Sequence, residues 1–185
     1  PCAQSGGWRR EGGAVVGPER TNRDATAARA PDGGLRPGTV LEGRTQVAAG
    51  AVVGPDSQLG DVVVGERSGI ANSVAREAEI GDDCLVGPFA YLRPGTTLAD
   101  GVHIGTYVEV KGSEVGAGSK VPHLTYVGDA TIGEHTNIGA SSVFVNYDGV
   151  AKHRSVVGDH VRTGSDTMIV APGESVTITS VRSSP

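Results

Sequence analysis

The sequence predicts an all-β fold, a parallel β-helix wound from six-residue units, and three observations predict it. Aliphatic residues recur every sixth position, first as Leu35, Leu41, Val47, Val53 and Leu59, then as Ile80, Val86, Leu92, Leu98, Ile104 and Val110. Glycine often follows the aliphatic residue, as at Gly81, Gly87, Gly105, Gly116, Gly133, Gly139 and Gly158. The fifth place holds small or β-branched residues, among them Thr39, Thr45, Ser57, Cys84, Ala90, Thr96, Ser119, Thr136 and Ser142. Helical faces recur at three and four residues, so no helix carries this period. Repeats of six mark a solenoid in which each unit is one short strand and one turn.

Taken in order, residues 1–34 show no six-residue period and mix Arg, Glu, Gly, Ala and Pro. They are expected to form a disordered leader. The repeat domain is expected over 35–171. Its register is lost at 71–79, where a bulged turn is expected. It shortens by one residue at Leu59→Val64, Val110→Val115 and Val127→Ile132. The stretch "NYDGVAKHRS", from Asn146 to Ser155, interrupts the pattern and reads as a loop. Residues 172–185 have no six-residue phase and are expected to be an irregular tail.

Side chains alternate across a strand, so the first and fifth places share a parity and both point inward. Three sides close a thin prism that its own side chains fill. Chemistry must then sit on the outer surface, and a flat face is a poor pocket. A second copy packed against such a face makes a cleft, and closed symmetry is the usual arrangement.

Composition narrows the function classes. The 29 glycines are spaced rather than clustered, which fits repeated turns better than disorder. A net charge of -5 argues against a general nucleic-acid or membrane-surface binder. The two cysteines, Cys2 and Cys84, make no disulfide framework, and a reducing cytoplasm fits; Cys84 occupies an inward slot and is expected to be a buried free thiol. No apolar run approaches the ~20 residues of a membrane span, and no signal-peptide apolar core stands near the start. The chain begins at Pro1, which reads as a piece of a longer frame.

The chemistry-bearing residues are concentrated. All four tyrosines and both phenylalanines lie between Phe89 and Tyr147, and Arg93, Lys111, Lys120, His123, Asn137 and Lys152 share or border that stretch. Arg93 and Lys111 stand where glycine is usual. In an acidic chain this cationic, aromatic group points to an anionic ligand such as a phosphate. His123, in "VPHLTY", is a candidate general base, since imidazole titrates near neutral pH. Glu109 precedes it by a little less than one coil, which places the two on adjacent rungs of one face.

These motifs resemble a known family. The repeats are similar to the hexapeptide acyltransferases, whose fold is a left-handed parallel β-helix. The segments "VGPFAYLRPGT", "VEVK", "GSKVPHLTYVGDA", "IGEHTNIGAS", "FVNYDGVAKH" and "VGDHVRTGSDTMIVAP" resemble the acetyltransferase domain of the bacterial bifunctional N-acetylglucosamine-1-phosphate uridyltransferase/glucosamine-1-phosphate acetyltransferases. The resemblance implies acetyl transfer from acetyl-CoA to the amine of glucosamine 1-phosphate, feeding UDP-N-acetylglucosamine and the cell wall. It implies a cytoplasmic homotrimer with sites between subunits, and no nucleic-acid or membrane partner. Of the residues, it implies His123 as general base with Glu109 orienting it. Arg93, Lys111, Tyr126, Asn137 and Lys152 would bind the sugar phosphate. Ala140, Asn146, Tyr147 and Ser165 would contact acetyl-CoA, and no metal is implied in this chain.

The match departs from the family at both ends. The uridyltransferase half is absent from the sequence, and "GESVTITSVRSSP" stands where relatives continue with further coils. Weakened turnover is therefore expected. Two alternatives remain: an inactive solenoid that only trimerises, and a γ-class carbonic anhydrase with zinc on three of His103, His123, His135, His153 and His160.

Overall fold

Inter-coil hydrogen bonding is the organising feature of the structure. The computed structural model describes residues 15–175, and through them successive units stack into three parallel sheets of nine, nine and six strands. Leu41 lies against Leu59, and Leu92 against Val110, so each coil there spans three full units. Val110 lies against Val127, a coil one residue shorter, which is where the sequence drops a residue. Backbone bonds run from coil to coil, as from Lys120 N to Thr136 O at 2.8 Å and from Asn137 N to Val161 O at 2.8 Å. No helix among the described residues is long and apolar enough to cross a membrane.

The first-place aliphatics form one continuous core: Leu35, Leu41, Val53, Leu59, Leu92, Ile104, Val110, Val121, Val127 and Ile138 are all fully buried, and Phe144 is the largest side chain among them. Each such residue contributes about 1.5–3 kcal/mol by leaving water. Cys84 is a buried free thiol, its acidity reduced by burial.

The fifth place prefers a small hydroxyl for a second reason besides size. Ser119 Oγ donates to Gly133 O at 2.7 Å and accepts from Thr136 N at 2.8 Å; Thr136 Oγ1 in turn donates to Gly158 O at 2.8 Å and accepts from Val161 N at 3.1 Å. The hydroxyls splice one coil to the next at a corner where the sheet ladder is interrupted. Ser119→Ala removes the partner of a buried N–H and is expected to cost about 1–3 kcal/mol, read as a lower urea midpoint. An unchanged midpoint would count against a stabilising role for the hydroxyls.

The second-place glycines have a packing reason. A Cβ on Gly116 would lie 2.6 Å from the carbonyl carbon of Gly133, and one on Gly133 would lie 2.6 Å from that of Gly158. Glycine lets the chain cross directly over itself at this corner.

The leader expected over 1–34 is corrected in part. Residues 1–14 lie outside the described residues, with Cys2 and Trp8 among them. From Val15 onward the chain already winds: Val15 bridges Leu35, Asn22–Arg23 pairs with Val40–Leu41, and Ala28–Arg29 pairs with Gln46–Val47. Arg23 and Arg29 occupy the two aliphatic slots that precede Leu35, so charge concealed the period. Arg29 is buried, with Nη1 donating to the carbonyls of Ala30, Pro31 and Gly33 at 3.1, 3.2 and 2.5 Å. Its apolar stem covers the core while its head satisfies the turn.

The bulge expected at 71–79 is also corrected. Val74–Arg76 and Ala78–Ile80 remain in their sheets, and Ala75 is buried in the slot between Leu59 and Leu92. Two shortened sides, Ile70 to Ala75 and Ala75 to Ile80, narrow this coil, and alanine suits the smaller cross-section. At the other end, Gly173–Ser175 continues a nine-stranded sheet by pairing with Ser155–Val157, so the irregular tail does not begin at 172; residues 176–185 lie outside the described residues.

The loop expected at 146–155 leaves the prism. Tyr126 pairs with Val143 across one ordinary coil, but Val143 pairs with Met168 across a much longer stretch of chain. The extra residues fold into a small hairpin closed by the Tyr147–Lys152 bridge. Asp148 makes its turn: Oδ1 accepts from Val150 N and Ala151 N at 2.8 and 2.7 Å, and Oδ2 lies 2.6 Å from His153 Nε2. These backbone donors, with His153, hold the Asp148 carboxyl well below the usual carboxylate range.

Candidate functional site

One face of the prism carries most of the candidate residues. On this nine-stranded sheet, Tyr91–Leu92, Glu109–Lys111, Tyr126–Gly128 and Val143–Val145 lie on successive coils. Their outward column runs Tyr91, Glu109, Tyr126, Val143. Strand alternation puts Leu92, Val110 and Val127 inside and leaves polar neighbours facing out.

Two ion pairs lie on this stretch of the face. Arg93 Nη1 donates to Glu109 Oε1 at 2.8 Å, with both side chains 40% exposed. Lys111 Nζ donates to both oxygens of Asp129, at 2.7 and 2.9 Å, with side chains only 21% and 22% exposed. The second pair is the better sheltered and so the less weakened by solvent. Asn146 Nδ2 adds a bond to Asp129 Oδ2 at 2.6 Å and lies 3.3 Å from the Tyr126 hydroxyl. The Asp129 hydrogen bond holds the Lys111 ammonium above its ordinary pKa. Burial pushes the Asp129 carboxyl up, but hydrogen bonds from Lys111 and Asn146 outweigh it, and the group lies below its ordinary value. Lys152, on the loop, adds its positive field at Asp129.

The loop is anchored at both ends beside this cluster. Asn146, at its start, is buried and bound to Asp129. Arg154, at its end, donates to Gly112 O at 3.1 Å, to Glu114 Oε1 at 3.1 Å and to Thr131 Oγ1 at 3.0 and 2.9 Å. Tyr147 lies between, exposed, its hydroxyl donating to Gly149 O at 2.7 Å.

The opposite edge of the same face carries the remaining group. His123 closes the strand Lys120–His123 of the six-stranded sheet and is exposed. Corner bonds run from Ser141 N to His123 O at 3.2 Å and from Asp166 N to Ala140 O at 2.8 Å. They stack His123, Ala140 and the turn holding Ser165 in one column. Beside it stand exposed apolar side chains: Phe89 and Tyr107, stacked with centroids 5.5 Å apart, and Leu124.

Two candidate placements change. Glu109 and His123 are not stacked on adjacent rungs. Glu109 is in register with Tyr126, and His123 comes earlier than Tyr126, at the corner that ends the preceding side. Within the chain Glu109 binds Arg93 instead. Asn137 lies on the six-stranded side between Lys120 and Arg162, away from the Lys111 cluster. Asp129 was not singled out from sequence. As in Asp61, its left-handed backbone, φ 49°, reads as a turn residue, which hides the side chain's role.

The histidines are dispersed. His135 stacks on His160 with centroids 5.3 Å apart, His153 is bound to Asp148, and His103 is lowered in pKa by burial and by neighbouring Lys120 and His123. No group of three or more His, Cys, Asp or Glu suited to a metal is gathered among the described residues.

The model "Bacterial transferase hexapeptide (six repeats)" matches residues 77–112. The chain carries a hexapeptide-repeat domain. The bifunctional protein GlmU of Kineococcus radiotolerans is 58% identical over 165 residues, covering 89% of this chain and 34% of that protein. The bifunctional protein GlmU of Rhodococcus jostii is 57% identical over 165 residues, covering 89% of this chain and 33% of its own length. The chain therefore spans about a third of the GlmU proteins it matches. Among solved structures, LpxA from Acinetobacter baumannii aligns over 88% of this chain and 72% of its own, at 15% identity and a TM-score of 0.48.

Proposed function

We propose that this hexapeptide-repeat domain is an acyltransferase that moves the acetyl group of acetyl-CoA to the amine of glucosamine 1-phosphate. Support comes from the high identity to GlmU proteins along most of this chain and from the residue pattern on the prism.

The observation that carries the reading is the division of the candidate residues between the two edges of one face. Lys111, Asn146 and Lys152 stand at one edge; His123, Ala140 and Ser165 stand at the other. From His123 to Asp129 the chain crosses the whole face, roughly 15–20 Å at about 3.3 Å per residue. Reacting atoms must approach to about 3–3.5 Å. Side chains and a bound sugar phosphate must span that width, and a flat outer face gives them no walls. A second copy, laying its His123 corner against the Lys111 edge of the first, brings the two groups into one seam. Phe89, Tyr107 and Leu124 give that corner the exposed apolar surface such a contact buries. Three equivalent seams close a homotrimer.

In this reading Arg93 and Lys111 hold the sugar phosphate, the first by a planar fork and the second as a point charge. Tyr126, Asn137 and Lys152 orient the sugar. His123 takes the proton that the amine sheds as the C–N bond forms and the thioester C–S bond breaks, releasing coenzyme A. Backbone and side-chain donors around Ala140 and Ser165 face the thioester, whose oxygen gains charge in the transition state. Glu109 acts through Arg93, steadying the phosphate-binding guanidinium, rather than through His123.

The test is thiol release from acetyl-CoA with glucosamine 1-phosphate, run beside a mass measurement in solution. Turnover by a trimer is expected. Turnover by a stable monomer removes the seam, and a trimer without acetyl transfer leaves the inactive-solenoid alternative.

A further inference from the structure

The Lys111–Asp129–Asn146 cluster has a member with no role in the reaction proposed above. Asp129 is 22% exposed, accepts two bonds from Lys111 and one from Asn146, and projects from the corner where the Asn146–Arg154 loop leaves the prism. We propose that Asp129 is a positioning residue that locks Lys111 and the Asn146–Arg154 loop into one arrangement, so that the phosphate-binding cation and the loop bearing Tyr147 and Lys152 are set together.

The geometry supports a shared hub rather than two separate contacts. An ammonium has three donors, and Lys111 gives two of them to Asp129. That leaves one, in a fixed direction, for an incoming phosphate oxygen. Oδ2 of Asp129 also receives Asn146 Nδ2, so one oxygen serves both the cation and the loop. Asn146 is buried and reaches the Tyr126 hydroxyl from the same amide nitrogen, which extends the lock to a third side chain. Arg154 pins the far end of the loop to Gly112 O, the carbonyl next in the chain after Lys111. Both ends of the loop are thereby tied to the turn that carries the cation. Both carboxylate oxygens are used at 129: an amide there keeps one acceptor and turns an N–H toward either the Asn146 N–H or the Lys111 ammonium, placing donor against donor in both orientations. The substrate side of this proposal rests on the reading of the site as a sugar-phosphate acetyltransferase; the loop side does not.

Asp129→Asn is the test, because it keeps shape and removes charge and one acceptor. Hydrogen exchange of the 146–154 amides is expected to quicken about tenfold, while exchange in the coil strands stays unchanged. Affinity for glucosamine 1-phosphate, by calorimetry, is expected to fall about tenfold, the size of one charge-assisted hydrogen bond. The double variant Asp129→Asn with Asn146→Asp restores a donor–acceptor match and is expected to recover loop protection. Unchanged loop exchange in both Asp129→Asn and Asn146→Ala, or no recovery in the double variant, overturns the proposal. Tighter sugar-phosphate binding also overturns it, since Asp129 would then be competing for Lys111 rather than orienting it. Should Asp129→Asn fail to fold, Asn146→Ala cuts the same link from the loop side and is read by the same exchange. If the unaltered chain does not bind glucosamine 1-phosphate, the acetyltransferase reading fails, and loop exchange still decides the positioning role.

Discussion

Replacing His123 by alanine is expected to lower turnover about a thousandfold while glucosamine 1-phosphate still binds. A positioned general base contributes roughly 10²–10⁴-fold. His123 stands at the corner, exposed, with its backbone carbonyl accepting from Thr125 Oγ1 at 2.6 Å and from Ser141 N at 3.2 Å. Those bonds survive truncation of the ring, so the fold is not at risk. Arg93 and Lys111, the cations proposed to hold the phosphate, lie toward the opposite edge of the same chain's face, so sugar-phosphate affinity by calorimetry should change little. Single-turnover acetyl transfer measures the chemical step directly. Turnover within about tenfold of the unaltered protein would take the base role away from His123.

The second large effect is structural. Phe144→Ala is expected to cost about 3–5 kcal/mol, the range for deleting a buried aromatic ring. Phe144 is fully buried and lies in register with Ile169 on the next coil. It is the one aromatic in the described core, between strands otherwise filled by Val, Ile and Leu. Its strand, Val143–Val145, is also the last support before the loop begins at Asn146. Urea unfolding should shift to a much lower midpoint, and in a solenoid the weakened coils should open before the rest. A loss under about 1 kcal/mol would mean that the neighbouring coils close over the gap.

Much of the fold was readable because each first-place aliphatic has one destination. Leu35 through Ile169 announce the inward column, and the fifth-place hydroxyls announce the corners. What escaped notice did so for physical reasons. Arg23 and Arg29 keep the six-residue phase, yet charge at a core slot reads as surface until a stem-over-core arrangement is known. Ala75 keeps the inward position in a coil narrowed by two shortened sides, and a small residue with a changed step looks like lost register. Of the site, sequence supplied the residue types but not their faces. Coils differ in length, the one from Leu59 to Ala75 being shorter than the one from Leu92 to Val110, so a phase counted over one coil drifts along the side. Glu109 to His123 is fourteen residues, three short of the seventeen that bring Glu109 to Tyr126, so the two fall at different places along the winding. Asp129 escaped because a left-handed turn residue is an ordinary requirement of every corner.

Beyond the hairpin at 146–154 all three sides resume together: Ile132 meets Val157, Asn137 meets Arg162 and Phe144 meets Ile169, each across the same lengthened step. The extra length is discharged outward at a single vertex, and the winding beneath never records it. Such an architecture can trial new appendages, longer or shorter or differently charged, without renegotiating its interior. Specificity and foldedness thus become separately adjustable traits, and diversification in substrate choice is open to lineages that leave the spool itself alone.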